Sequence, residues 1–291
     1  MKKAALLIKI SFKGLGQIML QDNAITGLLF FVGICLHSFT MGIAAIVASF
    51  IGSLTALFAK FDQDRQEQGL FGFSAALIGV AIVLFLKPSF LYFATLIIAS
   101  ITAAFLQNFF IQKKIAAFTL PFVLLTWIIL FFSKYFFPEL IIAQSPLGLN
   151  DYDKYVFPFK AYGQVIFQSE FYIGILFFVA VALHNLRAAI FGLLGSLLAT
   201  GCAYILKIPL INIFNGLSSF NAVLCAFVFS EKAKGQIVWA IFSVVLSVII
   251  GAIMTKLSLT MLTFPFVISC FLVILLKKYF IKKAKVTSSI N

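Results

Sequence analysis

The sequence predicts an all-α polytopic membrane protein made of two inverted-topology repeats of about five transmembrane helices each. Three observations predict it: the composition, a succession of apolar runs, and an internal self-similarity. Hydrophobic residues make up 63% of the 291 residues and charged residues only 11%, whereas a soluble domain carries about 25% charged residues. A chain this apolar cannot cover itself with polar surface, so its solvent is lipid.

Apolar runs set the number of membrane crossings, because a helix needs about 20 such residues to span a bilayer. Ten runs are found, several of them short, and we expect one or two to be half-membrane helices. They are 24–41, 42–59, 69–86, 89–107, 115–137, 166–184, 188–206, 216–230, 236–254 and 258–276.

The distribution of basic residues predicts the orientation. Ten spans place both termini on one side, and 16 of the 22 basic residues fall on that side. The positive-inside rule then predicts a multi-pass protein of the cytoplasmic (inner) membrane with both termini in the cytoplasm. The net charge of +13 is a topology signal and a lipid-headgroup contact rather than a nucleic-acid footprint. The opposite side keeps Lys87, Lys134, Lys154, Lys160, Lys207 and Lys256.

The chain aligns with itself at an offset of 147 residues, which shrinks to 144 near the end of each half. Several ordered blocks at nearly constant spacing indicate a duplication. The matched blocks are 16–17 with 163–164, 27–32 with 174–179, 69–70 with 216–217, and 118–122 with 262–266.

Each half holds five spans, an odd number, so the second half is expected to be inverted relative to the first. We therefore predict a first membrane repeat at 1–143, an external linker at 144–160 and a second, inverted repeat at 161–291. Inverted repeats are a recurrent transport architecture with the solute path at the repeat interface. Broken or half-membrane helices would line this central pore, since non-helical backbone survives at membrane depth only where it lines a cavity.

The predicted spans lack the residue types that several functions require. None of the nine acidic residues lies mid-span, and proton or cation coupling needs intramembrane carboxylates. No Walker, HExxH, GxSxG or CxxC motif occurs. We therefore expect no enzyme activity, no catalytic residue, no metal site and no cofactor. The function that these exclusions leave is passive movement of a neutral solute.

Three blocks, each present in both halves, resemble the urea transporter (urea channel) family, and we interpret the chain as a bacterial member. They are Gly16-Gln17-Ile18 with Gly163-Gln164-Val165, residues 69–74 with 216–221, and residues 115–122 with 259–266. Two departures stand out: Leu20 occupies a position where a phenylalanine is expected, and Ser218-Ser219 replaces an aromatic-glycine pair. The resemblance implies urea as permeant, a homotrimer with one pore per subunit, and membrane lipid as the surrounding partner.

The same resemblance assigns the pore residues. A narrow slot of side chains would accept the flat faces of urea: Phe73, Leu77, Phe220, Leu224, Phe167, Val165 and Leu20. Oxygen acceptors along the slot edge would replace lost water: Gln17 and Gln164 toward the ends, with Thr119 and Thr263 near the middle.

Alternatives stay open at these positions. Thr119 and Thr263 each precede a proline by two residues, so each could instead be a helix N-cap. A phenylalanine in this chain, which has 37 of them, is most often lipid-facing or packed. The alternative functions are a channel for ammonia, a short amide, water or glycerol, and a membrane-embedded enzyme or scaffold subunit. An enzyme would need titratable clusters in the spans, and a scaffold would not need matched Gln and Thr residues.

Overall fold

The computed structural model describes residues 2–143, 148–233 and 235–288, and the side chains of 4–143, 148–233 and 235–280. Lys234 and residues 144–147 of the predicted linker therefore lie outside the described residues, as do the side chains of Lys2, Lys3, Lys282, Lys283 and Lys285. The described helices are α1 (Lys2–Gln17), α2 (Ala24–His37), α3 (Phe39–Phe58), α4 (Gln63–Glu67), α5 (Phe73–Phe85), α6 (Phe90–Gln112), α7 (Leu120–Phe136), α8 (Asp153–Gln164), α9 (Phe171–Ile205), α10 (Leu210–Phe214), α11 (Phe220–Val228), α12 (Gln236–Lys256) and α13 (Phe264–Ser288).

The all-α polytopic class is confirmed. Within the described ranges, α3, α6, α9 and α12 are long and apolar enough to cross a membrane, and α2, α5 and α7 are shorter apolar helices. Large apolar side chains such as Phe90, which is 89% exposed, cover the outer surface. That exposure is stable only in lipid, because burying apolar side chains away from water is the main favourable term in folding.

The two predicted spans 166–184 and 188–206 form two helical segments that meet at a kink, both within the range given for α9. Helix α9 runs through both, with a break at Asn185 (φ −145°, ψ 86°). The Asn185 side chain accepts from the amide of Ala188 at 3.0 Å, as an N-cap residue does. Ser38, 147 residues earlier, separates α2 from α3 and accepts from the amide of Met41 at 3.3 Å. The two breaks thus have the same cause.

Short helices replace full crossings at two predicted spans. Helix α11 has nine residues and α5 has 13, both well short of the roughly 20 that a crossing needs. Each begins within four residues of a left-handed glycine, Gly216 (φ 77°) and Gly69 (φ 76°). A Cβ at either position would lie within 2.6 Å of the backbone of the helix it crosses, α8 or α1. Glycine is therefore required both by the backbone conformation and by the close approach.

The irregular backbone positions recur in both halves. Positive φ angles are uncommon for residues other than glycine, yet four such pairs occur at the offsets of the sequence alignment. They are Leu20 with Phe167, Lys60 with Lys207, Lys114 with Ser258, and Phe118 with Leu262. The two halves share these local bends, and the inverted orientation of the second half stays a prediction.

The end of the predicted linker differs from a solvated loop. Residues 153–160 are the start of α8, and Asp153 and Lys160 are buried and ion-paired at 2.6 Å. Lys160 also donates to the side chain of Asn215 at 3.1 Å. Burying a charge is costly unless it is paired and hydrogen-bonded, and this pair meets both conditions.

Candidate functional site

Thr119 and Thr263 meet at the junction of the two halves. Their hydroxyl oxygens lie 2.7 Å apart, within hydrogen-bonding distance, although the residues are 144 positions apart in sequence. Both are buried, with 3% and 2% of their surface exposed. Each immediately precedes a helix, α7 or α13, so the two helix N-termini face the same point. The alignment of the halves pairs these two residues, and the folded chain brings them into contact.

The structure also addresses the alternative that these threonines cap helices. Thr119 is the N-cap residue of α7, but its side chain makes no capping hydrogen bond to the helix. Its hydroxyl bonds to Thr263 instead. The amide of Val123 donates to the backbone carbonyl of Thr119 at 3.1 Å, and that of Val267 to the carbonyl of Thr263 at 3.2 Å. The Thr119 hydroxyl is therefore free of a capping role.

A cavity of about 160 Å³ lies against Thr119. Four of the predicted pore residues line it: Gln17, Leu20, Phe73 and Thr119. Its remaining wall consists of uncharged side chains, including one from the second half. These are Ile18, Leu70, Gln107, Ile115, Ala116, Ala117, Phe118 and Phe266.

The cavity therefore belongs to both halves. Phe266 of α13 contributes a wall and packs against Phe118, with ring centroids 5.0 Å apart. Phe167, from the turn after α8, packs edge-on against Phe85 and Phe122 of the first half, at 6.2 Å in each case. The second half thus builds part of a cavity whose other residues come from the first.

Gln17 presents an acceptor to the cavity. Its side-chain nitrogen donates to the carbonyl of Gln68 at 2.9 Å. This bond fixes the amide plane and leaves the carbonyl oxygen to a solute. Gln164, its counterpart, is at the end of α8 and largely buried, but does not line this cavity.

The turns that follow α1 and α8 are built alike. Leu20 and Phe167 adopt left-handed conformations with φ of 60° and 59°. In each turn a following glutamine closes the loop: Gln21 donates to the carbonyl of Met19, and Gln168 to that of Ile166, both at 2.7 Å.

Five predicted residues lie at matched places on three helices. Phe73 and Phe220 are the first residues of α5 and α11, and both are largely buried. Leu77 and Leu224 follow one turn later and are fully buried, on the same helix face, since residues four apart are neighbours. Val165 is the buried C-cap residue of α8. Of these five, only Phe73 lines the cavity described above.

Gln107 is a cavity residue that the sequence interpretation missed. It lies on α6, is 7% exposed, and its side-chain oxygen is buried without a hydrogen-bond partner. Buried polar atoms are nearly always paired, so an unpaired amide oxygen on a residue of the cavity wall is a candidate acceptor for a solute. An amide within the apolar run 89–107 was the available signal, because polar residues inside a span mark functional sites.

Asn221 and Ser74 make the two halves chemically different. Asn221 of α11 donates to the carbonyl of Leu262 at 3.2 Å and accepts from the amide of Phe266 at 3.1 Å. It thereby ties α11 to the start of α13, next to Thr263. Its counterpart Ser74 has a buried hydroxyl without a partner, because a serine side chain is too short to make both bonds.

The comparison with protein families decides what this geometry belongs to. A family model described as "Urea transporter" matches residues 8–278. The chain belongs to the urea transporter family. The resemblance drawn from the sequence blocks is therefore confirmed. Membership of a family of transporters also agrees with the expectation that the chain is not an enzyme.

Individual urea transporters are distant relatives. The chain is 24% identical over 231 residues to Urea transporter 1 of Rattus norvegicus, and this alignment covers 73% of the present chain and 60% of the rat protein. It is 21% identical over 303 residues to Urea transporter 1 of Ovis aries, and this alignment covers 91% of the present chain and 75% of the sheep protein. The chain thus spans less than two thirds of the rat relative's length.

Proposed function

We propose that this protein conducts urea passively across the cytoplasmic membrane, through a narrow path between its two halves. The paired hydroxyls of Thr119 and Thr263, at one end of an uncharged cavity, are the observation that supports it most. Urea is flat, neutral and polar, with N–H donors along its edges. Phe73, Phe118 and Phe266 offer apolar surfaces to its faces, while Gln17 and Gln107 offer oxygens to its edges.

Free energy explains why such a path needs acceptors along its length. Moving an unpaired amide-like group from water into an apolar site costs about 2–7 kcal/mol, and each hydrogen bond made on the way offsets part of that cost. Each net bond is worth only about 0.5–1.5 kcal/mol, so a solute held by a few of them can leave again. Among the described residues, no charged side chain lines the cavity, which favours a neutral permeant.

Ammonia, short amides and water are the alternative permeants. An ammonia path typically has histidine along it, and neither histidine of the chain lines this cavity. A short amide such as acetamide shares the acceptor requirement of urea but carries a methyl group. The aromatic rings of Phe73, Phe118 and Phe266 all line the cavity, and such flat walls favour the flatter molecule.

Urea flux into liposomes that contain only this protein tests the function. We expect rapid equilibration in both directions, and the same rate after proton or sodium gradients are collapsed, because no carboxylate lines the cavity to carry a coupling ion. Acetamide should enter more slowly than urea. Empty liposomes are the control. Accumulation of urea against its gradient, or flux no faster than in empty liposomes, would contradict the proposal.

Gln107→Leu tests whether the unpaired oxygen of Gln107 accepts from the solute. Loss of one hydrogen bond should slow urea by about 2- to 13-fold if the bond is made at the barrier. The same change removes a buried oxygen without a partner, so the melting temperature should stay equal or rise. A purely structural role predicts the reverse pattern, with a lower melting temperature and unchanged flux. Asn108→Leu, next on α6 and outside the cavity lining, is the matched control.

Orientation and assembly complete the proposal. The distribution of basic residues supports a topology with both termini in the cytoplasm and the linker at 144–160 outside, and the family resemblance implies a homotrimer. A cysteine introduced at Asn150 should react with an impermeant reagent added outside intact cells, and one at Asp64 should not; the opposite pattern would reverse the orientation. The mass of the detergent-purified particle tests the trimer.

A further inference from the structure

The two halves differ at one place where their backbones agree. In the first half, three phenylalanines fill the space between α3, α4 and α6. The ring of Phe61 lies 5.2 Å from that of Phe71 and 5.3 Å from that of Phe105, centroid to centroid. Phe61 and Phe71 form a small separate apolar cluster with Ala56, Ala104 and Ile111, and the ring of Phe105 packs on its outer side.

The second half lacks these rings. At the offsets of the two halves, the corresponding residues are Ile208, Ser218 and Ile249, and Gly251 stands where the first half has Gln107. A groove of about 580 Å³ opens there, between the ends of α9 and α12 and the short helix α10. The volume that aromatic rings occupy in the first half is therefore open in the second.

The groove has an apolar body and a basic mouth. Leu206 and Ile253 line it and are 44% and 52% exposed, so it faces outward toward the bilayer. Lys207 and Lys256 also line it, one just after α9 and one at the end of α12. No acidic residue is among the lining residues. The charge of the two lysines is thus left for an external anion.

Ser218 is a further polar residue of the groove wall. The hydroxyl oxygen of Ser218 is buried and has no hydrogen-bond partner. A hydroxyl in this situation loses free energy unless it finds one. It can donate to an ester carbonyl at a depth between a charged headgroup and an acyl chain.

We propose that this groove binds one anionic phospholipid. An acyl chain lies along Leu206, Ile249 and Ile253, an ester carbonyl accepts from Ser218, and the phosphate group contacts Lys207 and Lys256. Lysines at helix C-termini also offset the helix dipole, but that role does not account for an outward groove with an unpaired hydroxyl. The lipid takes the place that Phe61, Phe71 and Phe105 fill in the first half.

The occupied groove would also support the pore. Asn221 lines the groove and holds Leu262 and Phe266 beside Thr263. The lipid therefore packs directly behind the residue that fixes the start of α13. This site is independent of the permeant, so it stands even if the solute is not urea.

Native mass spectrometry of the full chain, taken from nanodiscs of equal parts phosphatidylglycerol and phosphatidylcholine, tests the site. We expect one retained phosphatidylglycerol per chain. In the double variant Lys207→Gln with Lys256→Gln, its preference over phosphatidylcholine should fall by about 5-fold per lysine. Lys60→Gln with Lys113→Gln, at the ends of the corresponding helices α3 and α6, is the matched control and should leave the preference unchanged.

A second variant fills the groove with aromatic side chains and keeps the charge of the two lysines. Ile208→Phe with Ser218→Phe transplants the first-half residues and should abolish retention of either lipid while the protein stays folded. Unchanged retention in both variants would overturn the proposal. Efficient cross-linking between subunits through a cysteine placed at Ile253 would also overturn it, because the groove would then be a subunit contact.

Discussion

Thr119→Val and Thr263→Val are each expected to slow urea flux by about 2- to 13-fold, the equivalent of one net hydrogen bond of about 0.5–1.5 kcal/mol. The two hydroxyls are 2.7 Å apart and buried, so a solute that passes between them must exchange their mutual bond for bonds of its own. A hydroxyl can accept from urea N–H or donate to the urea oxygen. Valine keeps the shape and removes both possibilities.

Stability measured on the same variants separates transport from packing. A single valine leaves the other hydroxyl buried without its partner, which costs about 1–3 kcal/mol. The double variant removes both groups and should be less destabilised than the sum of the two singles, because residues in contact are not additive. Its urea flux, in contrast, should be at least as slow as that of either single variant.

The measurement is stopped-flow urea flux per folded protein, with thermal unfolding of the same preparations. Thr102→Val on α6, whose hydroxyl only bonds to the carbonyl of Ile98 within its own helix, is the control and should change neither quantity by much. Normal flux in all three threonine-pair variants, with lowered melting temperatures, would assign the pair to structure alone.

Gly27→Ala is expected to prevent correct folding, although it adds a single methyl group. A Cβ at Gly27 would lie 1.7 Å from the carbonyl oxygen of Phe12. That oxygen belongs to the backbone of α1, so no side-chain rotation relieves the overlap, and the two helices must separate. Overpacking by one methyl typically costs about 1–3 kcal/mol, and this contact lies at the severe end.

Gly174 is the matching position of the second half, with a Cβ 1.9 Å from the carbonyl of Phe159, and Gly174→Ala should behave alike. Gly201→Ala on α9 is the control, because nothing lies within 4 Å of its Cβ. It should be neutral or stabilising by up to about 1 kcal/mol, since alanine favours helix over glycine. The yield of monodisperse protein and its melting temperature are the readouts. Equal stability of Gly27→Ala and Gly201→Ala would mean that α1 and α2 are not this close.

Linear patterns predicted the fold class because lipid is an apolar solvent. Runs such as 89–107 identify α6 without any knowledge of its neighbours, since each helix satisfies its own backbone hydrogen bonds. The pairing of Thr119 with Thr263 as equivalent positions likewise followed from the self-alignment. Boundaries were less predictable where an apolar run continues through a non-helical turn: the runs 69–86 and 216–230 hold only the shorter helices α5 and α11, which begin after the left-handed Gly69 and Gly216.

The sequence by itself determined that this chain is a membrane protein of the urea transporter family, with no acidic residue mid-span and a residue pattern that recurs in its two halves. Only the tertiary structure decided that the hydroxyls of Thr119 and Thr263 touch, that Gln107 lines a cavity beside them with its oxygen buried and unpaired, and that a groove opens beside α10. The physical reason is that composition and spacing act along the chain, whereas these features depend on distances between residues far apart in sequence. Phe61 and Ile208 occupy equivalent positions in the two halves. Which of the two positions is packed and which borders an open groove depends on the neighbours that folding brings around them.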